Sequence, residues 1–123
     1  MRPAATIALL ASGLCFAATV RATQLVRGPY LQLGTDTSVT VVWKTDVAAG
    51  CGVAVRPLGG LTTVLAGGSS AVCALALGGL TPGATYGYTP LADGAPIADE
   101  SVFTPIDPAA PVDFLVVGDS GCA

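Results

Sequence analysis

Histidine is absent from this chain of 123 residues, and charge is scarce: five basic and eight acidic side chains make up 11% of it. Without an imidazole, no ordinary base stands ready to activate a serine nucleophile near neutral pH, and the commonest side-chain metal ligand is missing. The few basic residues are scattered rather than clustered, so no positive stripe exists to neutralise a phosphate backbone, which excludes nucleic acid as a partner. Helical periodicity is lacking as well. Beyond residue 23, no window of about 11 residues keeps apolar side chains at helical spacing without a Gly or Pro intervening. No internal repeat is present.

What the chain does have is punctuation and apolar bulk. Sixteen glycines and nine prolines interrupt a sequence that is 52% hydrophobic, a combination that favours many short strands over long helices. The length suits one domain, since a two-sheet sandwich needs about 100 residues.

The first stretch, MRPAATIALLASGLCFAATVRA, has the three parts of an export signal. Arg2 is the positive start, Ala4 to Val20 the apolar segment, and Val20-Arg21-Ala22 the small-x-small cleavage site. Residues 1–22 are therefore expected to be a signal peptide, with the mature chain starting at Thr23 and no membrane association after cleavage. The rival is an uncleaved anchor, but roughly 17 apolar or small residues is short for a bilayer core. A lipoprotein signal fits poorly, because Leu14 precedes Cys15 where Gly or Ala is wanted. The expected location is secreted or extracytoplasmic, either periplasmic or extracellular.

From Leu25 onward the chain alternates strand patterns with turns. Gly34-Thr35-Asp36-Thr37 separates two extended pieces, and in the second of them Val39, Val41 and Trp43 share one face. Burying the Trp43 ring would remove on the order of 150 to 250 Å² from water. Cys51, Val53 and Val55 share a face before Pro57 and Gly59-Gly60. A short strand in LTTVLAGGSS is expected to end at Gly67-Gly68. Cys73, Leu75 and Leu77 line another strand, closed by Gly78-Gly79. Tyr86 and Tyr88 point the same way on the next strand, and Ala92-Asp93-Gly94 forms a hairpin turn. The spacing of turn signals predicts five to seven strands in an all-β antiparallel sandwich over residues 23–104.

Residues 105–112 contain Asp107-Pro108-Ala109-Ala110-Pro111, the stiff composition of a linker. In residues 113–123 the pattern changes. Phe114 to Val117 is a continuous apolar run, as in a strand buried on both faces of an α/β sheet, and Gly118-Asp119-Ser120-Gly121 follows at the end where such sheets place ligand groups.

Three sets of residues carry a resemblance. Leu80-Thr81-Pro82-Gly83-Ala84-Thr85-Tyr86 resembles the entry to strand F of fibronectin type III domains, where the tyrosine forms a corner by bonding to backbone a few residues upstream. An unrelated sandwich with a chance match is the alternative. Arg27-Gly28-Pro29-Tyr30-Leu31-Gln32, followed by Ser38-Val39-Thr40-Val41-Val42-Trp43-Lys44-Thr45, is similar to the amino-terminal domain of purple acid phosphatases and related metallophosphoesterases. Phe114 to Gly121 is similar to the first catalytic strand and G-D-x-G motif of that family. These matches fall in the family's order.

The resemblance implies a fibronectin type III-like sandwich standing before a domain that hydrolyses phosphate monoesters at a binuclear centre of iron with iron, zinc or manganese. Asp119 is the position matching a metal ligand, the single one in this sequence. The later histidine-bearing motifs are absent, as the sequence stops four residues after Asp119. The expectation is thus a non-catalytic scaffold with no catalytic residue and no cofactor of its own, whose partner is the missing catalytic domain of the same polypeptide. Phosphate esters would be bound only in the full-length form. Ser120 has no imidazole to act as its base and is read as a small residue in a tight loop. Fibronectin topology would put Cys51 and Cys73 on opposite sheets, facing inward, either as a disulfide or as two buried thiols; a bond closing about 22 residues would contribute roughly 3 kcal/mol. The alternative function is a stand-alone secreted module of this fold, used for adhesion or partner binding.

Overall fold

The computed structural model describes residues 21–116 and 118. Among these every regular element is a strand: β1 (Leu25–Gln32), β2 (Val39–Pro57), β3 (Thr63–Leu77), β4 (Tyr86–Ala92), β5 (Ala95–Pro96) and β6 (Ser101–Phe103). No helix among the described residues is long and apolar enough to cross a membrane.

All pairings are antiparallel, and β2 is their hub. Its first half takes β1 on one edge, from Gln32 opposite Thr40 to Leu25 opposite Thr45. Its second half takes β4 on that same edge, from Cys51 opposite Ala92 to Pro57 opposite Tyr86. The other edge is lined by β3 along nearly its whole length. Two layers result from one bent hairpin. The first holds β1 and the adjoining ends of β2 and β3; the second holds the remaining halves of β2 and β3 with β4, β5 and β6.

The crease falls where the registers slip, between Lys44 and Ala49 and again between Gly50 and Gly52. Such irregularities are how a strand turns a corner and changes sheets. Thr45 sits at this crease, 2% exposed, and its hydroxyl donates to the Val47 carbonyl at 2.7 Å, with the Ala71 carbonyl at 3.3 Å. On β3 the bend brings Leu75 over Gly67, where an added Cβ would lie 2.6 Å from a Leu75 methyl carbon. Glycine at that position lets the two arms of one strand close on each other. The glycine pair at 67–68 thus bends β3 and does not end it, and β2 likewise runs on where the sequence pattern suggested two separate strands.

Alternation along the strands builds the core between the layers. Val39, Val41 and Trp43 from one arm face Cys51, Val53 and Val55 from the other, with Cys73, Leu77, Leu80, Tyr86 and Tyr88 completing the cluster. Trp43 is the largest of the fully buried side chains, and its indole N–H has no hydrogen-bond partner. Leaving that donor unpaired costs free energy that the burial of the ring outweighs.

Phe114, Leu115 and Val116 depart from the strand expected of them. They carry no regular structure and are 80 to 86% exposed. An apolar run becomes a strand only where an edge accepts its backbone, and among the described residues none does.

Candidate functional site

Asp119, the residue matched to a metal ligand, and Ser120 lie outside the described residues. Among the described residues there is no cluster of three or more His, Cys, Asp or Glu able to hold a metal ion. The described part of the chain therefore does not fit a binuclear centre. Cys51 and Cys73 are joined in a disulfide, with Cα atoms 5.7 Å apart. Cys51 pairs with β4 in one layer and Cys73 with the Trp43 arm of β2 in the other, so the bond pins the layers together beside the crease.

The end of the sandwich from which the chain departs is the most elaborated. Before β4, the turn Thr81 to Thr85 is held by the Tyr86 hydroxyl, which accepts from the Thr81 N–H at 2.8 Å and closes the tyrosine corner. That bond favours the phenolate and draws the Tyr86 hydroxyl below its ordinary pKa. The Tyr86 ring stacks on Phe103 with centroids 5.6 Å apart, and Tyr88 meets Phe103 edge-on at the same distance. These contacts anchor β6, the last strand.

Past β6 the backbone stays tied down. The Gly83 N–H donates to the Pro105 carbonyl at 3.0 Å, and the Thr85 and Thr104 hydroxyls are 3.0 Å apart. The Asp107 carboxylate accepts from the Ala109 N–H at 2.9 Å, starting a turn. Proline at position 105 is buried. The direction in which the chain leaves is therefore set by hydrogen bonds and not by linker composition alone.

Beside that exit lies an open hollow of about 250 Å³, between the end of β1 and the residues after β6. Leu31, Leu33, Val39, Phe103 and Ile106 give it apolar surface, Gln32, Thr35, Ser38 and Thr104 add polar groups, and no charged residue borders it. Leu33 has a φ of 52° and is 80% exposed; Ile106 is 53% exposed. A branched apolar residue held in the left-handed region is strained, which marks this rim as a place where the fold tolerates local cost.

On the second layer an ion pair crosses β4. The Arg56 guanidinium donates from Nε and Nη2 to the two Glu100 carboxylate oxygens, at 2.7 and 2.6 Å. Gly87 lies under that carboxylate, and a Cβ there would come within 2.6 Å of it. The bonds from Arg56 hold the Glu100 carboxyl below the usual range, and Glu100 raises the Arg56 guanidinium. Sequence reasoning missed this pair because 44 residues separate its members; the trace it left was an unexplained glycine inside a strand between two tyrosines.

No family model matches the chain, and no curated protein matches it. Solved structures do. The short and long forms of the sensor domain of the anti-sigma factor RsgI4 from Pseudobacteroides cellulosolvens are similar, with TM-scores of 0.54 and 0.52 at 12% and 14% identity. The alignments cover 71% and 76% of this chain and 97% and 99% of those domains. The third fibronectin III domain of the human KIAA0343 protein matches with a TM-score of 0.51 at 13% identity, over 69% of this chain and 83% of that one. At such identities the likeness is one of fold: the chain forms a fibronectin type III-like antiparallel β-sandwich.

Proposed function

We propose that this sandwich is the amino-terminal, non-catalytic part of an exported phosphoesterase similar to the purple acid phosphatases, in which it braces a metal-dependent domain that follows on the same polypeptide. One observation carries the reading. Arg27 to Gln32, Ser38 to Thr45 and Phe114 to Gly121 appear in that family's order, with the third set beyond the last strand of the sandwich. In this reading residues 1–22 are removed on export, Asp119 belongs to the metal centre of the following domain, and hydrolysis of phosphate monoesters resides there. The hydrogen-bonded exit and the uncharged hollow beside it support a bracing role, since they offer a directed connection and a largely apolar seat next to it.

The purified chain, supplied with iron and zinc, is expected to hydrolyse a chromogenic phosphate monoester no faster than buffer; turnover above that background would overturn the non-catalytic assignment. A coding sequence continuing in frame beyond Ala123 into histidine-bearing G-N-H and G-H-x-H motifs is the expected counterpart. A stop codon directly after Ala123 would favour a stand-alone binding module instead.

A further inference from the structure

Edges of β-sheets expose unpaired backbone groups, and proteins blunt them with charge, proline, bulges or brevity. Three of the free edges here are blunted in that way. Strand β1 carries Arg27 and Pro29, and its register with β2 slips on both sides of Arg27. Strands β5 and β6 are two and three residues long. Strand β3 is the exception: fifteen residues, no charged side chain, no proline, and β2 as its single neighbour among the described residues.

Half of β3 is also regular. From Val72 opposite Lys44 to Leu77 opposite Val39 the ladder runs without a slip. Cys73 and Leu77 point into the core, while Val72, Ala74 and Ala76 face outward and are exposed. The edge is therefore regular, uncharged and lined by small apolar groups.

We propose that Val72–Ala76 of β3 pairs antiparallel with the same segment of a second copy, joining the first layers of two molecules into one continuous sheet. A two-fold contact puts a surface against itself, so a charge near the axis meets its own like. This is the edge on which that cost is nil. Centred on Ala74, the pairing sets Val72 of one copy across from Ala76 of the other, and the two Ala74 residues face each other. Small outward side chains let such partners approach, and each added backbone bond satisfies groups that otherwise face water. The inference concerns the sandwich alone and does not depend on the phosphoesterase reading.

Sedimentation equilibrium of the purified chain with its disulfide intact tests it. A concentration-dependent dimer is expected for the wild type. Ala74→Lys, which brings two ammonium groups face to face at the two-fold axis, is expected to weaken dimerisation by at least about tenfold, whereas the uncharged, strand-compatible Ala74→Thr keeps it. Far-UV circular dichroism checks that both variants fold. Hydrogen exchange on the wild type gives a second reading that needs no variant: the β3 amides not bonded to β2 should slow as concentration rises. A wild type that stays monomeric, an Ala74→Lys protein that dimerises as well as the wild type, or β3 amides indifferent to concentration would each overturn the proposal.

Discussion

Asp93 and Gly50 hold each other at the Cys51–Ala92 end of the β2–β4 ladder. The Asp93 N–H donates to the Gly50 carbonyl at 3.0 Å, and the Gly50 N–H donates to the Asp93 carboxylate at 2.7 Å. Asp93 has a φ of 50° and Gly94 a φ of 82°, the backbone of a tight Asp-Gly hairpin. One side chain thus closes the β4–β5 turn and fastens it to β2 within the crease. Asp93→Ala removes the carboxylate and leaves a residue ill-suited to the left-handed region, at an expected cost of about 1 to 3 kcal/mol. Asp93→Asn keeps both the acceptor and the conformational tolerance and should lose much less. Urea melts of the two variants make the comparison, and equal losses would contradict it.

Tyr86→Phe deletes the bond from the Thr81 N–H while keeping the ring on Phe103. The expected loss is about 1 to 3 kcal/mol, the range for a partly buried donor left without its acceptor. Amide exchange at Thr81 should accelerate more than exchange in the first layer. Unchanged protection there would mean that the corner contributes nothing.

Reducing the Cys51–Cys73 bond frees a loop spanning a sequence separation of 22. Restored chain entropy in the unfolded state gives an expected loss of roughly 3 kcal/mol, with a lower melting temperature in reductant. The double variant Cys51→Ala, Cys73→Ala should melt at the same temperature with or without reductant.

Much of this architecture was readable because large apolar residues recur at every second position along the strands. Trp43, flanked by Val39 and Val41, announced an inward face, and Leu80 to Tyr86 announced the corner. The continuity of β2 and β3 was not readable. Glycine marks both the end of a strand and a sharp bend within one, and the difference at Gly67 depends on Leu75, a residue on the far arm of the bend. Whether the apolar run from Phe114 becomes a strand is decided in the same way, because strand character depends on a neighbouring edge that a local pattern does not contain. The Arg56–Glu100 pair and the hollow near Leu33 are likewise products of topology, assembled from segments far apart in the chain.

The Arg56–Glu100 pair predicts a pH dependence whose sign follows from Glu100. Its carboxyl titrates below the ordinary range when folded, so the stabilisation is present above the unfolded glutamate pKa of about 4.3 and is lost as pH falls through the lowered folded value. The wild-type melting temperature should therefore drop more steeply in acid than that of Glu100→Gln. Because both groups face solvent, salt should narrow the difference. Parallel acid limbs for the two proteins would show that the pair does not contribute. A side chain at Gly87 would displace Glu100, so Gly87→Ala should reproduce the flattened acid limb.

A hairpin that supplies strands to both layers leaves neither sheet free to come apart by itself. Peeling one away means unzipping the ribbon that also forms the other, so the molecule should open as a single cooperative unit.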